Sequence, residues 1–120
     1  MPIVHVFVSS GRFATMEELR GYIDRTYTED GDGVASPFMR EIGLMSRCEP
    51  ACIEAVVAAS GSPEGLNELL SDASYWDQWR HEVDGSIVAD AAICVFAPNQ
   101  PHHPAGASVR HIGSFGYATT

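Results

Sequence analysis

The chain contains no lysine at all; its seven basic residues are all arginines, set against sixteen acids for a formal net charge of −9. Phosphate neutralisation needs clustered positive charge, so this balance argues against a nucleic-acid binder. It also argues against docking on an anionic membrane surface. No apolar run approaches the roughly 20 residues that span a bilayer. The opening MPIVHVFVSS has no basic segment and runs directly into a strand-like pattern, so no secretory leader is expected. The three cysteines, Cys48, Cys52 and Cys94, are an odd number, which predicts reduced thiols and a cytoplasmic protein.

Motifs of catalysis are equally scarce. There is no GxSxG elbow, and SSGRFA after the first apolar run matches neither G-x-G-x-x-G nor a Walker A loop. Apart from Arg47 beside Cys48, no basic pattern activates a cysteine. Cys48 and Cys52 stand as C-x3-C without a second Cys or His pair at finger spacing, so no metal is expected there. Asp30-Gly31-Asp32-Gly33 suggests a calcium loop, but Val34 and Ala35 stand where an oxygen ligand and the turn glycine belong. The five histidines, His5, His81, His102, His103 and His111, have no HExxH-like spacing, although His5 and His111 fall on expected strands and could be sheet neighbours. No catalytic residue, metal ligand or cofactor is assigned.

What is present is an ordinary globular composition, 45% hydrophobic over 120 residues, the size of one domain. Residues 3–8, IVHVFV, are apolar on both faces and predict an interior strand covered on both sides. Thr15 with Glu18 forms a capping box for a helix ending near residue 26, with Met16, Leu19, Tyr22, Ile23 and Tyr27 as its apolar stripe. TEDGDG (28–33) predicts an exposed acidic loop. Ser36, Pro37 and Gly43 bracket a short helix that buries Phe38 and Ile42.

Further strands are expected at 52–58, about 90–97 and about 107–117. In the last, Val109, His111, Phe115 and Tyr117 would share one face, with Arg110 and Ile112 on the other. A helix is expected from Ser62-Pro63 through Leu70, and a helix or helical turn over 74–83. The proline-rich loop PNQPHHPAG holds no regular element. The count predicts one α+β domain over 1–120: a roughly four-stranded, mostly antiparallel sheet with short helices packed on it. Strand order and oligomeric state are not readable.

The stretch YTEDGDGVASPFMREIGL (27–44) resembles the immunity protein 22 family of bacterial polymorphic toxin systems. That family shows a strand, a helix, an acidic Y-x-E-D-G-D segment and a short S-x-F-M-x-D/E helix. The matching residues are Tyr27, Glu29, Asp30, Gly31, Asp32, Ser36, Phe38, Met39, Glu41, Ile42 and Gly43. Looser matches extend the likeness over 4–99, while Cys48 and Cys52 replace common aromatics and 100–120 matches nothing. The resemblance implies stoichiometric binding of a cognate toxin, without catalysis.

Charge points the same way: an acidic chain is steered toward a basic partner, such as a nuclease toxin, although simple solubility accounts for the same excess. Glu29, Asp30 and Asp32 are the expected contact residues, together with Tyr75, Trp76 and Asp77 from the chain's aromatic concentration around Tyr75, Trp76 and Trp79. Tyr and Trp are enriched in binding hot spots, but two tryptophans on one helix can equally both be core. The alternative reading is a small metal-dependent or hydrolytic enzyme using the histidines.

Overall fold

The computed structural model describes residues 1–44, 48–59 and 62–119. Its backbone is a four-stranded antiparallel sheet in the order β4-β7-β1-β8, formed by β1 (Ile3–Ser9), β4 (Ile53–Val57), β7 (Ala91–Val95) and β8 (Arg110–Gly116). Two short ladders lie outside it: β2 (Thr26–Tyr27) with β3 (Gly33–Val34), and β5 (Glu64–Gly65) with β6 (Val88–Ala89). The expected α+β architecture is present. Among the described residues, no helix is long and apolar enough to cross a membrane.

The two-sided apolar pattern of β1 has its predicted consequence. Val4, Val6 and Val8 enter one core, with Leu66, Leu70, Trp79 and Phe115; Phe7 enters a second, with Leu19, Phe38, Ile42 and Ile93. All five residues of β7 are buried. The helices α1 (Met16–Ile23) and α2 (Pro37–Ile42) cover the Phe7 face. The opposite face is covered by α3 (Leu66–Leu69) and α4 (Trp76–Trp79), the latter continuing as a 3-10 turn over Arg80–Glu82.

The local start and stop signals explain α1 and α2. Thr15 Oγ1 accepts the Glu18 N–H at 3.2 Å, and the Glu18 carboxylate accepts from the Ala14 N–H, also at 3.2 Å. Ser36 Oγ accepts the Met39 N–H at 3.1 Å. Gly43 closes α2 at φ 79°, a left-handed conformation that glycine adopts without steric cost. The His102 and His103 N–H groups both donate to the Ile42 carbonyl, at 2.8 and 3.0 Å. The proline-rich loop thus satisfies the open end of α2.

Several expectations are corrected. Helix α1 stops at Ile23, because Asp24 turns extended and Thr26–Tyr27 enter a ladder instead; Tyr27, expected on the apolar stripe, is 67% exposed. Helix α3 does not begin at Ser62-Pro63. Glu64–Gly65 pair with Val88–Ala89, and this tertiary ladder overrides the local cap signal. In β8 the expected common face of Val109, His111, Phe115 and Tyr117 is split. The register passes from Phe7↔His111 to Val6↔Gly113, so Ile112 is an extra residue. This bulge reverses the alternation: Val109 stays on the α1/α2 side, whereas Ile112, Phe115 and Tyr117 join the α3/α4 core. Glycine stands at 113 because a Cβ there would lie 2.7 Å from the Phe115 ring. The Arg47 noted beside Cys48 lies outside the described residues.

Trp79 anchors the α3/α4 layer. It is fully buried, stacks on Phe115 at 5.8 Å and donates its indole N–H to the Ser74 carbonyl at 3.2 Å. Replacing it with alanine is expected to lower the unfolding free energy by about 3–5 kcal/mol, whereas the exposed Val88→Ala should change it by less than about 0.5 kcal/mol. Urea denaturation of the two variants measures the contrast.

Candidate binding surfaces

The acidic segment is a preformed turn. Pairing of Thr26 with Val34 and of Tyr27 with Gly33 brings its ends together. The Thr28 N–H donates to the Asp32 carbonyl at 2.9 Å, and the Gly31 N–H to the Thr28 carbonyl at 2.9 Å. Thr28 Oγ1 accepts the Asp32 N–H at 3.1 Å. These bonds use backbone groups and one hydroxyl, so they fix the loop without consuming its carboxylates. Glu29, Asp30 and Asp32 are all exposed. Neither of the two ion pairs found among the described residues, Arg20–Asp24 at 3.1 Å and Arg80–Asp77 at 3.8 Å, involves them.

The second candidate group lies elsewhere. The acidic hairpin links α1 to α2, on the Phe7 side of the sheet, whereas α4 packs on the other side. The hairpin and residues 75–77 therefore do not form one continuous patch. Trp76, expected as a contact residue, is 8% exposed and packs edge-on against Trp79 at 4.9 Å, so its ring serves the core rather than the exposed surface. Tyr75 is 42% exposed and stacks on Tyr117 at 4.7 Å. It holds φ 59°, a conformation that costs an aromatic residue on the order of 1–3 kcal/mol and that collects at functional positions. Asp77 is almost fully exposed.

Sequence reasoning passed over Glu54, a strand residue beside this group. Its carboxylate accepts the Ser74 N–H at 3.0 Å and the Ser74 hydroxyl, tying β4 to the segment that carries Tyr75. The available signal was a single charge inside the otherwise apolar run IEAVV. Glu54 and Asp72 border an apolar cavity of about 140 Å³ lined by Val56, Leu69, Leu70 and Cys94.

A polar network on the α1/α2 side was also missed. Glu41 accepts from the Tyr22 hydroxyl and the Ser108 N–H, both at 2.6 Å, and the Arg12 guanidinium lies 4.3 Å from the Tyr22 ring centre. Burial resists ionisation of Glu41, but these hydrogen bonds together hold its carboxyl below the usual carboxylate range. The same carboxylate, together with burial as the larger cause, pushes the Tyr22 phenol up to about 12. The network joins α1, α2 and the segment leading into β8, which is a structural task.

The histidines on β1 and β8 are neighbours, as their strand positions suggested. His5 and His111 have ring centres 6.1 Å apart, and both ring systems engage Ser114, at 2.7 Å from His5 Nδ1 and 3.3 Å from His111 Nε2. Among the described residues, no three His, Cys, Asp or Glu side chains converge to hold a metal ion. The cysteines are free, and burial pushes the Cys94 thiol well above its ordinary range.

Burial, with repulsion from His111, lowers the pKa of His5, and burial also lowers that of His111. The unfolded chain therefore binds protons at these sites before the folded chain does. Stability from this pair is intact above pH 6.5, the ordinary histidine value, and falls as the pH drops below it. Thermal melts between pH 7.5 and about 5 should show this loss in the wild type, and His5→Gln/His111→Gln should flatten it. An equally steep loss in the double variant would assign the effect to other groups.

One of the comparisons with known proteins finds a family. A family model described as Immunity protein 22 matches residues 6–93, a span that begins within β1 and takes in α1, the acidic hairpin, α2, β4 and the α3/α4 layer. No curated protein matches the chain, and no solved structure does. With most of its length matched, the chain belongs to the Immunity protein 22 family.

Proposed function

We propose that this chain is a cytoplasmic immunity protein that neutralises a cognate toxin by binding it stoichiometrically, and that the toxin presents a basic surface, as a nuclease does. The observation that carries this reading is the acidic hairpin: three exposed carboxylates on a turn whose shape is set by its own backbone bonds. Such a turn loses little freedom on docking, so its charges retain their value in the complex. The net charge of −9 adds a long-range field that guides a cationic partner toward the chain. Family membership supplies the class of partner. Free thiols on Cys48, Cys52 and Cys94 suit a reducing compartment.

In this role Glu29, Asp30 and Asp32 accelerate encounter and fix orientation. Tyr75 and Asp77, on the opposite side of the sheet, belong to a separate surface. A toxin that engages both must reach around an edge of the sheet.

Asp30→Ala/Asp32→Ala is expected to slow association with the purified toxin domain by about tenfold at low salt and to flatten the salt dependence of the rate, with thermal stability unchanged. Stopped-flow binding over a salt series reads both quantities. Wild-type association rates and salt slope in this variant would remove the hairpin from the interface.

A further inference from the structure

The two edges of the sheet are built differently. On β8, the Ile112 bulge, Arg110 and His111 disrupt a flat edge, which is how natural sheets discourage further pairing. β4 has none of these devices: Ile53–Val57 contains no proline, no bulge and no cation, and its register with β7 is regular through all five residues. Phe96 N–H donates to the Cys52 carbonyl at 2.9 Å, and Ala58 N–H to the Asp90 carbonyl at 2.8 Å. The antiparallel alternation then turns the backbone groups of Cys52, Glu54, Val56 and Ala58 toward β7 and those of Ala55 and Val57 away from the sheet.

Side chains beside this edge favour one chemistry. Glu54 and Val56 face the α3/α4 layer, and there the cavity of about 140 Å³ lies between β4 and α3. Its walls are Val56, Leu69, Leu70 and Cys94; its polar members Glu54 and Asp72 are both acidic, and among the described residues no cation lines it. Glu54 already accepts two bonds from Ser74, which leaves lone pairs on the same carboxylate. An apolar slot rimmed by two carboxylates fits a lysine or arginine, whose aliphatic stem enters the slot while its cationic head meets the rim.

We propose that β4 is a strand-addition site: an extended basic segment of the toxin pairs with the outward backbone groups of Ala55 and Val57 and places a lysine or arginine in the cavity beside Glu54 and Asp72. This inference rests on the reading of the chain as a toxin-binding immunity protein and adds where and how the toxin docks. Main-chain bonds supply affinity in this mode, and the pocket supplies selectivity. Charge complementarity selects this occupant over a second copy, because two chains of net charge −9 repel.

The test uses the full chain and, as probe, a purified cognate toxin domain carrying an inactivating substitution. Amide exchange with and without toxin should show new protection at Ala55 and Val57. Ala55→Pro removes an outward N–H without breaking a bond to β7, and Asp72→Arg reverses one rim charge on an exposed residue. Each is expected to weaken binding by about tenfold or more, with Asp72→Arg also reducing the salt dependence. Should Ala55→Pro fail to fold, Asp72→Arg and the exchange measurement still decide.

Unchanged affinity in Asp72→Arg with no protection at β4 overturns the proposal and leaves toxin binding intact. Protection confined to residues 28–34 does the same and places the toxin on the other layer. Concentration-dependent dimerisation that Ala55→Pro abolishes would assign the edge to a second copy and overturn it as well. A wild-type chain that does not bind the toxin at all removes the functional reading itself, and this inference with it.

Discussion

Burial of β1 and β7 on both faces is the constraint on which the rest of the molecule depends. Val4, Val6 and Val8 point one way and Phe7 the other, and β7 is buried along its whole length. A strand apolar on both faces cannot leave either to water, since each large side chain so exposed would forfeit roughly 1.5–3 kcal/mol of burial. Two helical layers follow from this requirement. The short helices α1, α2, α3 and α4 would be marginal alone, and they persist because each contributes an apolar face to one of these two cores.

This arrangement separates the functional surfaces. The acidic hairpin belongs to the connection within one layer, and the Tyr75 and β4 region to the other. Internal bonding also shapes the outward field. Arg12 lies over Tyr22 and bonds Ser108, Arg20 pairs with Asp24, Arg40 donates to the Ala35 carbonyl, and Arg80 stands near Asp77. With these cations drawn into local contacts, the carboxylates of the hairpin face solvent. The acidic excess is thus displayed outward, where it can act on a partner at a distance.

Much of the local architecture was legible in the sequence because its causes are local. Thr15 with Glu18, and Ser36-Pro37 with Gly43, announce helix ends through bonds that span at most a few residues. The exposed acidic turn followed from two glycines among three acids. What misled was sequence signal that long-range pairing could outweigh. Ser62-Pro63 reads as a helix start, yet Glu64–Gly65 gain ladder bonds to Val88–Ala89, far along the chain. Tyr27 fits the helical stripe of α1, yet pairs with Gly33. Trp76 fits the composition of a binding hot spot, yet finds Trp79 at 4.9 Å.

By itself, then, the sequence determined an acidic α+β domain with an interior first strand, the caps of its first two helices, a solvated acidic turn and the family to which residues 6–93 belong. These properties reside in composition, short-range hydrogen bonding and side-chain periodicity, all of which act before the chain has closed on itself. Tertiary structure alone decided the strand order β4-β7-β1-β8, the bulge that sends Phe115 and Tyr117 to the far face, and which two strands became the sheet's edges. Those outcomes depend on backbone groups that look the same in every strand. Only the packing of two cores against one sheet selects which of them meet.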